Sequence, residues 1–391
     1  MGFGAIIAAG DKNELLSDPL LECITEVRVE QHLDNPTQYA IRFQEDIVDG
    51  EPRMMTAPEL QCEKMLAIAV KANDTLKCLV RGPITDVKCS VTRGGPGSWY
   101  EVHGQDRRVE LDRQCVRKAW TGRASEAADA ILSERFETDI EQTNIIYGSP
   151  RSGGSQATQT LNQRSTNAAF IRAIARRNNF HCWLAYECKL DPFSLTGRSL
   201  KITETAHLKP SPPRPSGALG ALSALPLKLV PTVMVALRVN VEEDQCRNVT
   251  RFDLGINAEQ PNQFSGTTIN EADLKEDRTS TTDPQPAIRP GGLTLSNCSA
   301  QRDLCVTTAG NQTEMQNQAE SALTEAGWYV NATASTTAFM LGDVLLPHDV
   351  IEVEGLGKAH SGPYQVQSVT HVINAADHYM DLRLRRNAIG G

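Results

Sequence analysis

The sequence predicts an α+β protein that is mainly β. It should hold two similar β domains, an α+β block between them and a helix-containing insertion in the second. Three observations carry that reading. Apolar and polar residues alternate with a period of two over the first hundred residues and again beyond residue 229. Helical three-and-four spacing is confined to short stretches, and a proline-rich segment divides the chain. At 391 residues the chain is long enough for two or three domains of ~150 residues each, and 40% hydrophobic with 22% charged residues is a globular composition.

Val27 and Val29 alternate with charged residues, a polar turn falls at Asp34-Asn35-Pro36, and Tyr39, Ile41 and Phe43 alternate again. That pattern predicts two half-buried strands joined by a turn. A helix or strand covers Leu60 to Val70 and leads to Leu79–Pro83. Ile84–Val91, the turn Arg93-Gly94-Gly95-Pro96-Gly97 and Trp99–Val102 read as a hairpin. Further on, Ala127, Ala128, Ile131 and Leu132 predict one helix; Phe170, Ile171, Ile174 and Ala175 predict another, running into a strand at Phe180–Leu184. Gly148–Ser155 is a loop. The segment opening Leu208-Lys209-Pro210-Ser211-Pro212-Pro213 is a linker.

Val233, Val235, Leu237, Val239 and Val241 form the longest alternating run, and Phe252, Leu254 and Ile256 form the next. Residues 276–293 lack periodicity and contain Pro284, Pro286 and Pro290, so they read as a loop. Met315, Ala319, Ala322, Leu323 and Ala326 predict a helix stopped by Gly327 at C′. Val350–Val353, Gly362–Val366 and Tyr379–Leu384 close the chain in β. The resulting division is a β domain at 16–108, an α+β domain at 109–206, a Pro-rich linker at 207–228 and a second β domain at 229–388 with an insertion at 257–335.

The two β segments read as copies of one unit. Each has an alternating strand, a polar turn, a second alternating strand and a hairpin introduced by Gly-Pro. Val29 to Ile41 spans twelve positions, Val241 to Leu254 thirteen. Gly82 and Pro83 match Gly362 and Pro363. At the same offset, with no gap, Trp99 meets Tyr379, Glu101 meets Asp381 and Val102 meets Leu382. Val87 then faces Gln367, which demands a bulge or a slip in the first strand of the hairpin. The second copy would be longer between its second and third strands, placing the Met315 helix in an insertion there. Gly82, Pro83, Trp99, Gly362, Pro363 and Tyr379 are thus the candidate structural positions. Three such chains about a threefold axis would present six similar units.

Chemistry is harder to find. The chain lacks H-E-x-x-H, G-x-S-x-G and G-x-x-x-x-G-K-[ST]. Gly355-Leu356-Gly357 lacks the third glycine of a dinucleotide fingerprint and leads to a strand. His360, His371 and His378, near Asp377, match no familiar ligand spacing. Neither catalytic nor metal-ligating residues are assigned, and no cofactor is expected. A net charge of −9, from 39 basic and 48 acidic residues, argues against non-specific gripping of DNA. Ten cysteines without a C-x-x-C, behind an N-terminus that does not read as an export signal, are expected to be reduced packing residues.

Several stretches together resemble the late control gene D family, the baseplate hubs of contractile phage tails and related injection machines. These are Gly342-Asp343-Val344; Val350-Ile351-Glu352-Val353-Glu354-Gly355-Leu356-Gly357; His360-Ser361-Gly362-Pro363-Tyr364-Gln365-Val366; Ser368-Val369-Thr370-His371; and the closing Leu382–Ala388. Arg81–Thr85, Gly95–Ser98 with Gly104–Arg107, and Phe170–Arg176 before a Trp-bearing strand match in the same order. The resemblance implies a homotrimer whose two tube-type, β-barrel-like domains form a pseudo-sixfold ring. Such a ring joins the hexameric tail tube to the trimeric central spike as a structural protein rather than an enzyme. The partners implied are the chain itself, a tail tube protein, a spike and other baseplate proteins, with no membrane. DNA or an effector would pass through the lumen unbound. The particle implied is a virion tail or injection apparatus, its chains expected to be made in the bacterial cytoplasm. Since the sequence stops at Gly390-Gly391 after the hub-like ending, the spike is expected on a separate polypeptide. The alternative, a tail-associated cell-wall hydrolase, would need a carboxylate pair or metal constellation in the 109–206 block.

Overall fold

The N-terminal β region comprises β1 (Ala5–Ala9), β2 (Ile24–His32), β3 (Gln38–Gln44), β4 (Met65–Ala72), β5 (Thr75–Ser90) and β6 (Trp99–Gln105). In β2 and β3 the alternation works as the sequence predicts: Val27, Val29, Tyr39, Ile41 and Phe43 are buried, while Glu26, Arg28 and Arg42 face out. β4 was ambiguous between helix and strand for a physical reason. Leu66 through Val70 are all buried, because Leu66, Ile68 and Val70 join the main core while Ala67 and Ala69 pack with Ala8, Cys78, Cys188 and Leu200 on the other face. A strand covered on both sides has no alternation to read. β1 lies ahead of the 16–108 span, yet it pairs antiparallel with β4 and buries Ile7 and Ala8.

The computed structural model describes residues 4–45, 47–48, 51–72, 75–93, 97–148, 160–191, 199–212, 235–241, 247–269, 276–282, 287–289, 291–298, 300–304 and 312–390. Most of the glycine-rich stretch 148–155, linker residues 213–228, Val233 and the prolines at 284, 286 and 290 lie outside the described residues.

The middle block comprises β7 (Cys115–Trp120), α1 (Ala124–Leu132), β8 (Glu137–Ile140), β9 (Leu161–Thr166), α2 (Asn167–Arg177), β10 (His181–Leu190) and β11 (Leu200–Lys209). The predicted apolar faces of α1 and α2 form its own core with Ala206 and Leu208. Thr166 caps α2 by accepting from the Ala169 amide at 3.2 Å. β11 runs to Lys209, so 207–209, placed in the linker by sequence, are strand.

The remainder holds β12 (Ala236–Arg238), β13 (Arg251–Ile256), β14 (Gln263–Ile269), β15 (Glu276–Thr282), α3 (Gln312–Ala326), β16 (Val330–Thr337), α4 (Ala338–Leu341), β17 (Val350–Glu354), β18 (Gly362–Asn374) and β19 (His378–Arg386). The loop expected at 276–293 is corrected: residues 276–282 form a hairpin strand against β14. Its residues are almost all polar, so no period marks it. The hairpin is held through Phe264, which packs on Met315, Ala319 and Leu323 of α3.

Pairing decides what alternation could not. One 13-stranded sheet runs β13-β16-β19-β18-β2-β3-β6-β5-β4-β1 and on to Glu14–Leu15, with β17 beside β18 and β12 beside β17. Within it, β2-β3-β6-β5-β4 and β13-β16-β19-β18-β17 have the same order and the same antiparallel sense. The registers agree too. Val27 opposes Ile41, which opposes Val102, and Phe252 opposes Ala334, which opposes Leu382. A register shift falls between Ile84 and Asp86 in one hairpin and between Val366 and Ser368 in the other.

The duplication stands, but its alignment needs three corrections. Leu254, not Val241, is the counterpart of Val29, because both oppose the second strand (Ala332 and Tyr39), whereas β12 runs parallel to β17 on the far side. The insertion therefore separates the first and second strands of its copy, not the second and third. Finally, the hairpins do not align without a gap. Val87 opposes Val102 and Val369 opposes Leu382, so Val87 matches Val369, and the tighter β18–β19 turn absorbs two residues.

Candidate functional site

A repeated sheet can engage partners through its seam, edges, ends and open face. At the seam, β18 pairs with β2 and fuses the copies around one core: Ile373 opposes Val27, His371 opposes Val29 and Val369 opposes Gln31. Two inward positions are polar. The Gln31 amide donates to the Leu79 carbonyl at 2.7 Å, leaving its oxygen to accept from His371 Nε2 at 3.1 Å. His371 Nδ1 must then accept, and His378 Nε2 lies 2.9 Å away to donate. The row needs at least one imidazole neutral, because two imidazoliums would set donor against donor. Burial, and for His371 the neighbouring His378 and Lys77, push both groups down, His378 to about 4 despite Asp377. The folded chain thus refuses protons that an unfolded one accepts, so this stability is present above pH 6.5 and is lost as pH falls towards 4. At pH 5 His378 alone is expected to cost about 2 kcal/mol. Urea midpoints at pH 7 and pH 5 check it: His378→Asn should narrow the difference seen in the wild type, and an unchanged difference would remove the pair from the account.

Elements present once per chain gather at the sheet end where β2 turns into β3. Asp106, buried after β6, accepts from the Thr37 amide at 2.6 Å, the Arg108 amide at 2.9 Å and the Arg108 guanidinium at 2.6 Å. Arg108 in turn donates to the carbonyls of Asn35 at 3.0 Å and of Cys182 on β10. Glu204 on β11 takes Arg81 at 3.1 Å and Arg107 at 2.7 Å, and His181 meets Asp34 at 2.6 Å. Trp183 stacks on His348, with centroids 3.8 Å apart. The insertion joins the same end. Arg385 reaches Glu325 at 3.0 Å and lies over Trp328, and the Asn179 amide after α2 donates to Ser321 of α3 at 3.1 Å.

The opposite end carries what both copies share: the β5–β6 and β18–β19 turns, with Trp99 and Tyr379 at equivalent places. A short helix also follows the second strand of each copy, Arg53–Thr56 in the first and α4 in the second. Phe339 is 86% exposed there, and Met55, Met340 and Tyr379 are also exposed. Arg42 lies 4.3 Å over the Trp99 ring. The open sheet face between the ends is polar and charge-paired: Arg28–Glu30 at 2.7 Å, Arg42–Glu101 at 3.9 Å, Lys88–Asp86 at 4.0 Å and Arg251–Asp253 at 2.7 Å. Interleaved signs give no basic stripe for a phosphate backbone.

Of the positions singled out by sequence, Trp99 opposes Gln44 and Ser90, and Tyr379 opposes Thr337 and Val372, so those two correspond. The Gly-Pro pairs do not. Gly82 and Pro83 oppose Leu66 and Met65 in mid-strand, while Gly362 and Pro363 begin β18 opposite Val353 and Glu352; the counterparts of Gly82 and Pro83 are Tyr364 and Gln365. His371 and His378 meet across the last hairpin, bonded to each other. Among the described residues no three His, Cys, Asp or Glu side chains group to hold a metal ion, and no helix is long and apolar enough to cross a membrane. The seam's Gln31–His371 contact was not foreseen. Its only trace in the sequence is a polar residue at an inward phase of each strand.

This mainly antiparallel β fold is one found in solved phage tail proteins. The chain shares its fold with the tail protein from Neisseria meningitidis MC58 at 11% identity and TM-score 0.60, over 98% of this chain and 97% of that one. It shares it also with the 43 kDa tail protein of prophage MuSo2 from Shewanella oneidensis, at 12% identity and TM-score 0.59 over 99% of each. The E. coli c3393 protein, a type VI secretion component with structural similarity to the T4 tail proteins gp27 and gp5, matches at 11% identity and TM-score 0.51, over 93% of this chain and 73% of that one. No protein-family model matches the sequence, and no curated relative does. The fold is therefore that of phage tail and type VI secretion proteins, in keeping with the late control gene D resemblance.

Proposed function

We propose that this chain is the structural baseplate hub of a contractile tail or injection particle, a homotrimer that joins the sixfold tail tube to the threefold spike. The observation that carries this is the doubled unit: two five-strand copies with one strand order, one set of registers and one bulge position. Three chains then supply six near-equivalent units, and closed symmetry is the common fate of such repeats. Polarity follows from the same logic. A sixfold partner needs a face on which both copies look alike, which is the end with the paired turns, Phe339, Met340 and Tyr379. A threefold partner needs features that occur once per chain, which is the end with the α+β block and the α3 insertion. The tube docks on the first and the spike on the second. The charge-paired sheet face lines the lumen and lets DNA or an effector pass without a grip.

The role is geometric rather than enzymatic. Light scattering of the purified full chain is expected to give a mass of three chains, and class averages a ring with six peripheral densities. A stable monomer that degrades peptidoglycan would instead make it a tail-associated hydrolase.

A further inference from the structure

Within the chain, the first copy lends β2 to the second copy's β18, but the equivalent bond is missing on the other side. Among the described residues β13, the counterpart of β2, is the last strand of the sheet and pairs only with β16. The far half of β5, the counterpart of the seam half of β18, pairs with β6 alone among the described residues, since β4 leaves it at Pro83. Both vacant edges carry apolar side chains on the core face. Leu254 is 37% exposed, Ile256 48% and Val91 59%, and Cys89 is exposed. Their counterparts in the seam, Val29, Gln31, Ile373 and His371, are at most 7% exposed. Open apolar edges of this kind are normally protected in a finished protein.

We infer that β13 of one protomer pairs antiparallel with the Val87–Val91 edge of the next, in the register of the internal seam. This deepens the trimeric-ring reading and rests on it. Carrying the seam pairs across the duplication sets Val369–Gln31 onto Val87–Ile256, His371–Val29 onto Cys89–Leu254, and Ile373–Val27 onto Val91–Phe252. Exposed Leu254 then meets exposed Cys89, while exposed Ile256 and Val91 meet the half-buried Val87 and Phe252. On the polar face Lys88 comes opposite Gly255 and diagonal to Asp253, within reach of a cross-strand ion pair. The occupant of each edge is thus a second copy of this chain, and three such joints alternate with three internal seams.

Directly opposed antiparallel residues have Cα atoms ~4.5–5.5 Å apart, within disulfide range. Leu254→Cys in the full chain, mildly oxidised, is therefore expected to link to the native Cys89 of its neighbour. Most of the protein should then run as covalent trimer and its dimer intermediate on a non-reducing gel, and Cys89→Ser in the same background should abolish the bands. Ile256→Asp, which keeps both native edges uncrosslinked, should turn the trimer into a monomer with an unchanged circular dichroism spectrum. A trimer by light scattering in which Leu254→Cys does not link and Ile256→Asp does not dissociate overturns this seam while leaving the ring reading intact. A wild-type monomer overturns both.

Discussion

Gly82→Ala is expected to keep the first β copy from folding, at a cost of roughly 4 kcal/mol or more, which is the range reserved for severe steric faults. A Cβ at residue 82 would stand 1.8 Å from the Gln105 carbonyl oxygen, 2.8 Å from its carbon and 2.9 Å from the Asp106 carbonyl carbon. All three are backbone atoms, so no side chain can swing aside. The crowding arises where β5 leaves β4 for β6: Gly82 opposes Leu66, and two residues on Ile84 opposes Gly104 beside the bulge. Tyr39 fills the remaining space. Its hydroxyl donates to the Gly82 carbonyl at 3.1 Å, and a Cβ on Gly104 would lie 2.2 Å from that same hydroxyl. The second copy solves the corner differently, with Tyr364 and Leu384 at the equivalent places, so it does not share the sensitivity. Soluble yield and thermal melting followed by circular dichroism test this; a variant melting within a few degrees of the wild type would show that the strands can separate there.

Asp106→Ala is expected to lower stability by about 3–5 kcal/mol, the cost of stranding a buried charge. Asp106 is 1% exposed and faces an Arg108 side chain that is itself buried. Burial works against the Arg108 charge, and Asp106 more than reverses it, raising the guanidinium above its ordinary range. Without the carboxylate, Arg108 keeps only the carbonyls of Asn35 and Cys182, and the Thr37 amide loses its acceptor. Those three contacts tie the β2–β3 turn, the exit of β6 and strand β10 of the α+β block, so the end proposed to meet the spike should loosen first. Urea unfolding measures the loss. Asp106→Asn, which keeps one acceptor but not the charge, should fall between wild type and alanine, and a loss below about 1 kcal/mol in the alanine variant would contradict the clamp.

Local pattern made much of this readable. Strands with one wet face, such as those of Val27/Val29 and Tyr39/Ile41/Phe43, and helices with one apolar stripe, such as that of Phe170/Ile171/Ile174, write their burial directly into residue order. β4 and β15 did not, for opposite reasons: one is covered on both faces and the other is polar on almost every residue. The longest alternating run, Val233 to Val241, misled the alignment, because its described part is a short strand parallel to β17 rather than the partner of β13. The candidate end residues divide in the same way. Trp99 and Tyr379 were matched through their strands, whereas Phe339, isolated in a four-residue helix, carried no period to notice.

From sequence alone came the class, the doubling and the resemblance to tail hubs, since side-chain periodicity and short ordered motifs are properties of neighbouring residues. Which strands touch, where the bulges lie, that the copies share a seam at His371 and Val29, and that the outer edge of β13 is left unpaired among the described residues were decided only in three dimensions. Alternation fixes which face of a strand is dry, but it is indifferent to which other strand satisfies the amides along its edge.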